Sequence, residues 1–68
     1  MNKDALLGKL REHGLTQDDG ARISGMSRSR FNAKVNGTGG AEFKLGEIVA
    51  LKNGIPLTLD EASAIFLV

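Results

Sequence analysis

The sequence predicts a small all-α domain of five helices, and three observations predict it. Apolar residues recur at helical spacing through most of the chain. Asn2, Thr16, Ser27 and Thr58 stand where such segments begin, and short polar side chains at these places cap helices. Glycines at 14, 25, 37 and 54 follow the same segments, and this regular punctuation supports the helix boundaries. The 68 residues make one domain, 1–68, which buries only about 60% of its unfolded surface. Cysteine is absent and His13 is the sole histidine, which excludes a disulfide framework and any thiolate or histidine-cluster metal site.

The first helix spans residues 3–13. Leu6, Leu7 and Leu10 share its inner face, Asp4 suits its positive end, and Gly14 stops it. His13 in the last turn complements the helix C-terminus. The second helix starts at Thr16, turns Ala21 and Ile23 inward and ends at Gly25; Asp18 and Asp19 lie at its positive end. Gly20 weakens this helix by up to ~1 kcal/mol against alanine, yet allows a close approach of the next one. Met26 plugs the core beside the turn. Ser27 caps the third helix, Phe31 and Val35 face the core at i, i+4, and Asn36-Gly37 closes it. A flexible loop follows over 37–40, and 40–44 has the option of an extended conformation.

The fourth helix covers 45–53, with Leu45, Ile48, Val49 and Leu51 as its apolar face and Phe43 packed ahead of it. Ile55 and Pro56 connect it to the fifth. There Thr58-Leu59-Asp60-Glu61 fits a capping box, and Leu59, Ala62, Ile65 and Phe66 form the buried side.

Two short helices joined by a tight turn over Leu15–Gly37 constitute a helix-turn-helix, whose second helix enters the major groove of DNA. Net charge is only +1, but residues 27–44 carry Arg28, Arg30, Lys34 and Lys44 against Glu42 alone. A basic patch on one element attracts phosphate more than the whole-chain sum suggests. Base contacts are expected from Ser27, Arg28, Ser29 and Asn32: arginine pairs bidentately with guanine and asparagine with adenine, while serine is short enough to approach either. Phosphate contacts are expected from Gln17, Lys34, Thr38 and Lys44. Arg30 is open to a phosphate or to pairing with Asp18 or Asp19.

The string LTQ…A…SGMSRSRFNAKVNG resembles the Cro/C1-type (lambda repressor-like) helix-turn-helix of phage repressors. In that family glutamine opens the second helix, alanine occupies its middle, glycine makes the turn, and a small apolar residue precedes a serine. Phe31-Asn32, Lys34-Val35-Asn36-Gly37, Glu42-Phe43, Leu45, Glu47-Ile48 and Ile65-Phe66 are similar, in order, to the pattern of small Cro-like regulators of phages infecting Gram-positive bacteria. Members of the family carry bulky apolar residues where Gly20 and Ser24 stand here, and the loop with Gly39-Gly40 looks longer. The resemblance implies a compact five-helix lambda repressor-like fold. It also implies sequence-specific binding to an operator duplex, often as a two-fold dimer, and repression by blocking polymerase.

The apolar end Ile65, Phe66, Leu67 and Val68 is the expected dimerisation element, because a chain this short has little room to hide it. No apolar run approaches the ~20 residues that span a bilayer, and the mixed charges of the first residues do not suit a signal peptide, so a cytoplasmic location is expected. No nucleophile–base pair or metal set is present to nominate an enzyme; Gly37-Thr38-Gly39-Gly40 lacks the Lys-Ser/Thr of a phosphate loop. No cofactor or small-molecule ligand is expected. The alternative to a DNA-binding regulator is a protein-interaction module of the same fold, an antirepressor or antitoxin-like binder without specific DNA recognition.

Overall fold

Five capped α-helices and one 3-10 turn make up the computed structural model, which describes residues 1–67. They are α1 (Lys3–Glu12), α2 (Gln17–Ile23), α3 (Arg28–Asn36), α4 (Leu45–Gly54) and α5 (Leu59–Phe66), with the 3-10 turn at Thr38–Gly40 between α3 and α4. No strand occurs among the described residues; Ala41 is extended without pairing. None of these helices is long and apolar enough to cross a membrane.

The helix starts follow from side-chain capping. Asn2 Oδ1 accepts the Ala5 N–H, Thr16 Oγ1 the Asp19 N–H, Ser27 Oγ the Arg30 N–H, and Thr58 Oγ1 the Glu61 N–H. At α2 and α5 the acid returns the bond, Asp19 to the Thr16 N–H and Glu61 to the Thr58 N–H, both at 2.8 Å. Each capping box satisfies two backbone donors that a helix start otherwise leaves open. The box at α2 is faint in the sequence, because its returning acid is Asp19 where glutamate is the usual signal. Gly25 takes φ +73° in the turn between α2 and α3, and Gly37 takes φ +68° at the end of α3.

The core gathers Leu6 and Leu10 from α1, Ala21 from α2, Phe31 and Val35 from α3, Leu51 from α4 and Ile65 from α5. Ile55 and Leu57, in the link before α5, are buried with them. That link is a core segment as well as a connection. Phe43 stands between Phe31 and Phe66 and is T-shaped to both, with ring centroids 5.7 and 5.8 Å away. Edge-to-face pairs of this kind add about 0.5–1.5 kcal/mol each beyond area burial. Helix α2 lies close to both α3 and α4, because glycines stand at the two approaches. A Cβ at Gly20 would lie 2.6 Å from Phe31 Cζ, and one at Gly54 would overlap the Ile23 side chain.

Several apolar residues expected inside are outside. Leu45 is 76% and Leu59 72% exposed, and Val49 is also exposed. Both leucines are the first residue of their helix, beyond the edge of the core. On α4 the inward stripe is Ile48 and Leu51, continued by Ile55 just past the helix end, so Leu45 and Val49 fall on a neighbouring stripe.

Glu61 ties α5 to α1 through Lys9. The Lys9 ammonium and the Thr58 N–H hold the Glu61 carboxyl down at about 2, from an ordinary 4.5. The Thr16 N–H, then Arg22, lowers Asp19. Burial pushes Glu47 up, but Lys34 and the Lys44 N–H outweigh it and leave the carboxyl below its usual range. A carboxyl whose pKa is lower in the folded state contributes stability above its unfolded pKa and loses it as pH falls through the folded one. Stability is therefore expected to be level above about pH 5 and to fall progressively toward about pH 2. Urea unfolding followed by helicity at stepped pH checks this; a midpoint unchanged down to the acid end would show that these contacts do not hold the fold.

Candidate nucleic-acid interface

Helix α3 has two sides with different work. Phe31 and Val35 anchor it in the core, and Arg28, Ser29 and Arg30 are left exposed at its N-terminal end. The Ser27 cap fixes where that end begins and leaves its hydroxyl hydrogen available to donate outward. Thus Ser27, Arg28, Ser29 and Arg30 form one continuous exposed edge at the start of the helix. Gln17 is the first residue of α2 and is half-buried. Thr38 and Lys44 are exposed beyond the far end of α3.

Two expected contacts are placed differently. Lys34 does not face outward: its side chain is 8% exposed, and its Nζ donates to both Glu47 oxygens at 2.7 and 2.8 Å. It follows Phe31 by three residues and so shares the core side of α3. Its ammonium is spent on an internal pair and is not presented to a phosphate. Asn32 is half-buried, and its Oδ1 is sealed from solvent without a hydrogen-bond partner among the described residues. The bidentate adenine contact needs the oxygen and the amide nitrogen together, so this conformation does not present it.

The electrostatics of the surface are quieter than the charge count of residues 27–44 suggests. Asp18 accepts from Arg28 Nη1 at 3.2 Å, and Asp19 accepts from Arg22. Of the two acids open to Arg30, Asp18 pairs instead with Arg28, two residues nearer the turn, and Asp19 with Arg22. Arg30 has no side-chain partner among the described residues. Of the four cations on α2 and α3, three are neutralised by a carboxylate and Arg30 is not.

The proposed dimerisation element is largely occupied as well. Ile65 is 2% exposed in the core, and Phe66 packs against Phe43. Leu67 is 80% exposed, and Val68 lies outside the described residues. The chain hides more of its end than its length suggested, because α5 turns Ile65 onto α1 and α4. Among the described residues after α3, the exposed large apolar side chains are Leu45, Val49, Leu59 and Leu67.

No family model, no curated protein sequence and no solved structure matches the chain.

Proposed function

We propose that the chain is a sequence-specific DNA-binding transcriptional regulator of Cro type that lays α3 in the major groove of an operator. The observation that carries this reading is the α2–turn–α3 unit. Gly25 makes its turn, Phe31 locks its second helix, and Ser27, Arg28, Ser29 and Arg30 emerge from the N-terminal end of that helix. A helix-turn-helix brings this end of its second helix against base edges. Arg28 is the base-reading arginine, Ser27 and Ser29 are the short groups near the groove floor, and Arg30, Gln17, Thr38 and Lys44 meet the backbone. In this reading two chains bind an inverted repeat, with half-sites about 34 Å apart on one face of the duplex.

The test is selection from a random-sequence duplex library at stepped salt, with wild type beside Arg28→Ala. Wild type is expected to enrich a short inverted repeat, with affinity falling steeply as salt rises. Arg28→Ala is expected to lose about 1–3 kcal/mol on that repeat. Sedimentation of the complex should give two chains per repeat, and Leu67→Asp should lower that number without unfolding the protein.

A protein-interaction module is the second reading, and one observation favours it: Leu45 and Val49 stand exposed one turn apart on α4. Failure of wild type to enrich any duplex would transfer the weight to it.

A further inference from the structure

Asp18 is the acid of α2 that takes no part in the capping box. Asp19 is committed to the Thr16 N–H, the Thr16 hydroxyl and Arg22. Asp18 makes no cap contact; its carboxylate meets Arg28, ten residues on and across the turn. The contact uses Nη1 of the guanidinium and leaves Nη2 and Nε unpartnered among the described residues. A guanidinium has five N–H donors in a rigid plane, so a carboxylate on one side can hold the group while another edge donates bidentately. Both side chains are well exposed, so the pair remains accessible to a ligand.

We propose that Asp18 is a positioning and specificity-determining residue for Arg28, an inference that rests on the DNA-binding reading above. Its carboxylate aims the remaining guanidinium edge at a guanine, and the same charge discourages Arg28 from settling on a phosphate. A guanine edge offers two acceptors and no net charge, so it is compatible with Asp18 staying in place. A phosphate brings a negative charge beside the carboxylate and must either displace it or be repelled. Base-specific binding therefore keeps the pair, and non-specific binding loses it. With Asp19 and Glu47 neutralising two further cations, Arg28 is the group whose release would most strengthen sequence-independent attraction.

The experiment compares wild type, Asp18→Asn and Asp18→Glu on two probes: the duplex that wild type enriches, and a scrambled duplex of equal length. Asp18→Asn is expected to bind the scrambled duplex about three- to fivefold more tightly, the range of an exposed ion pair. Its salt slope there should steepen by about one phosphate contact. Affinity for the enriched duplex should stay level or fall, so the ratio of the two drops. Asp18→Glu should recover much of the ratio, and the thermal midpoint should fall by only a few degrees with Asp18→Asn, as for an exposed first-turn acid. In an Arg28→Ala background Asp18→Asn should leave the ratio unchanged. Equal gains on both probes, or a loss of ratio that persists without Arg28, would overturn the proposal, since either makes Asp18 a general repulsive charge. If wild type binds no duplex, the DNA-binding reading fails and the proposal with it. If wild type enriches a duplex and Asp18→Asn keeps its ratio, only the proposal fails.

Discussion

Gly20→Leu is expected to abolish cooperative folding, and Gly20→Ala to lower stability by about 1–2 kcal/mol. Alanine is the better helix former by up to about 1 kcal/mol, so an exposed site would respond in the opposite direction. Here the new methyl carbon would meet Phe31 Cζ at 2.6 Å, inside van der Waals contact. The ring cannot swing away, because it is fully buried and has Phe43 packed against it. Overpacking of this kind costs about 1–3 kcal/mol, which exceeds the helix gain. Each kcal/mol should move the thermal midpoint of so small a domain by about 4–8 °C. The second arm is Phe31→Leu. Alone it should destabilise by trimming the core; combined with Gly20→Ala the two losses should sum to less than their separate values, since the smaller side chain makes room for the methyl. A higher midpoint for Gly20→Ala than for wild type would mean that α2 and α3 do not meet at this distance.

The second large effect belongs to the pair between α3 and α4. Glu47→Ala should cost about 2–3 kcal/mol, because it strands the enclosed Lys34 ammonium and opens the Lys44 N–H at the start of α4. This is somewhat below the usual range for breaking a buried pair, since the Glu47 side chain keeps a fifth of its surface in water. Lys34→Met should cost less, about 1 kcal/mol, because it replaces the buried cation with an apolar chain of similar length and leaves the carboxylate its backbone donor and that water. The order of the two, read by urea unfolding, is the discriminating result. A Lys34→Met protein less stable than Glu47→Ala would show that Lys34 is not enclosed. At permissive temperature Lys34→Met should also bind the enriched duplex within about twofold of wild type at fixed salt, as a lysine held inside contributes no released counterion.

Helix boundaries were legible in the sequence wherever a cap and a glycine bracket a periodic segment, as Ser27 and Gly37 bracket α3. They were legible because capping is local chemistry, settled within four residues. What the sequence concealed was the outcome of packing between distant residues. By type alone Lys34 suggests a surface cation, although its spacing from Phe31 is that of the buried face. A lysine on such a face calls for a carboxylate partner elsewhere, which Glu47 supplies. Leu45 and Leu59 failed for the converse reason: their type suggested burial, but a residue at the first position of a helix reaches the core only if the core extends past the helix end. The exposed edge Ser27–Arg30 was readable from the motif. The Asp18–Arg28 pair was not, since it depends on how far the turn at Gly25 brings two helix starts together.

Near the two ends of the described chain, the Asn2 N–H donates to the Ile65 carbonyl at 2.7 Å. The backbone is thus nearly a ring, open by a few residues at the place where α1 begins and α5 finishes. A short glycine-rich bridge across that gap would make it a covalent circle and remove entropy from the unfolded chain at little cost in strain. The same circle can then be cut within Thr38–Gly40, giving a permuted order of elements in which α4 comes first and α3 last. Both proteins would keep every helix, so a mixed population of cyclic, permuted and linear chains should differ in unfolding midpoint far more than in spectrum.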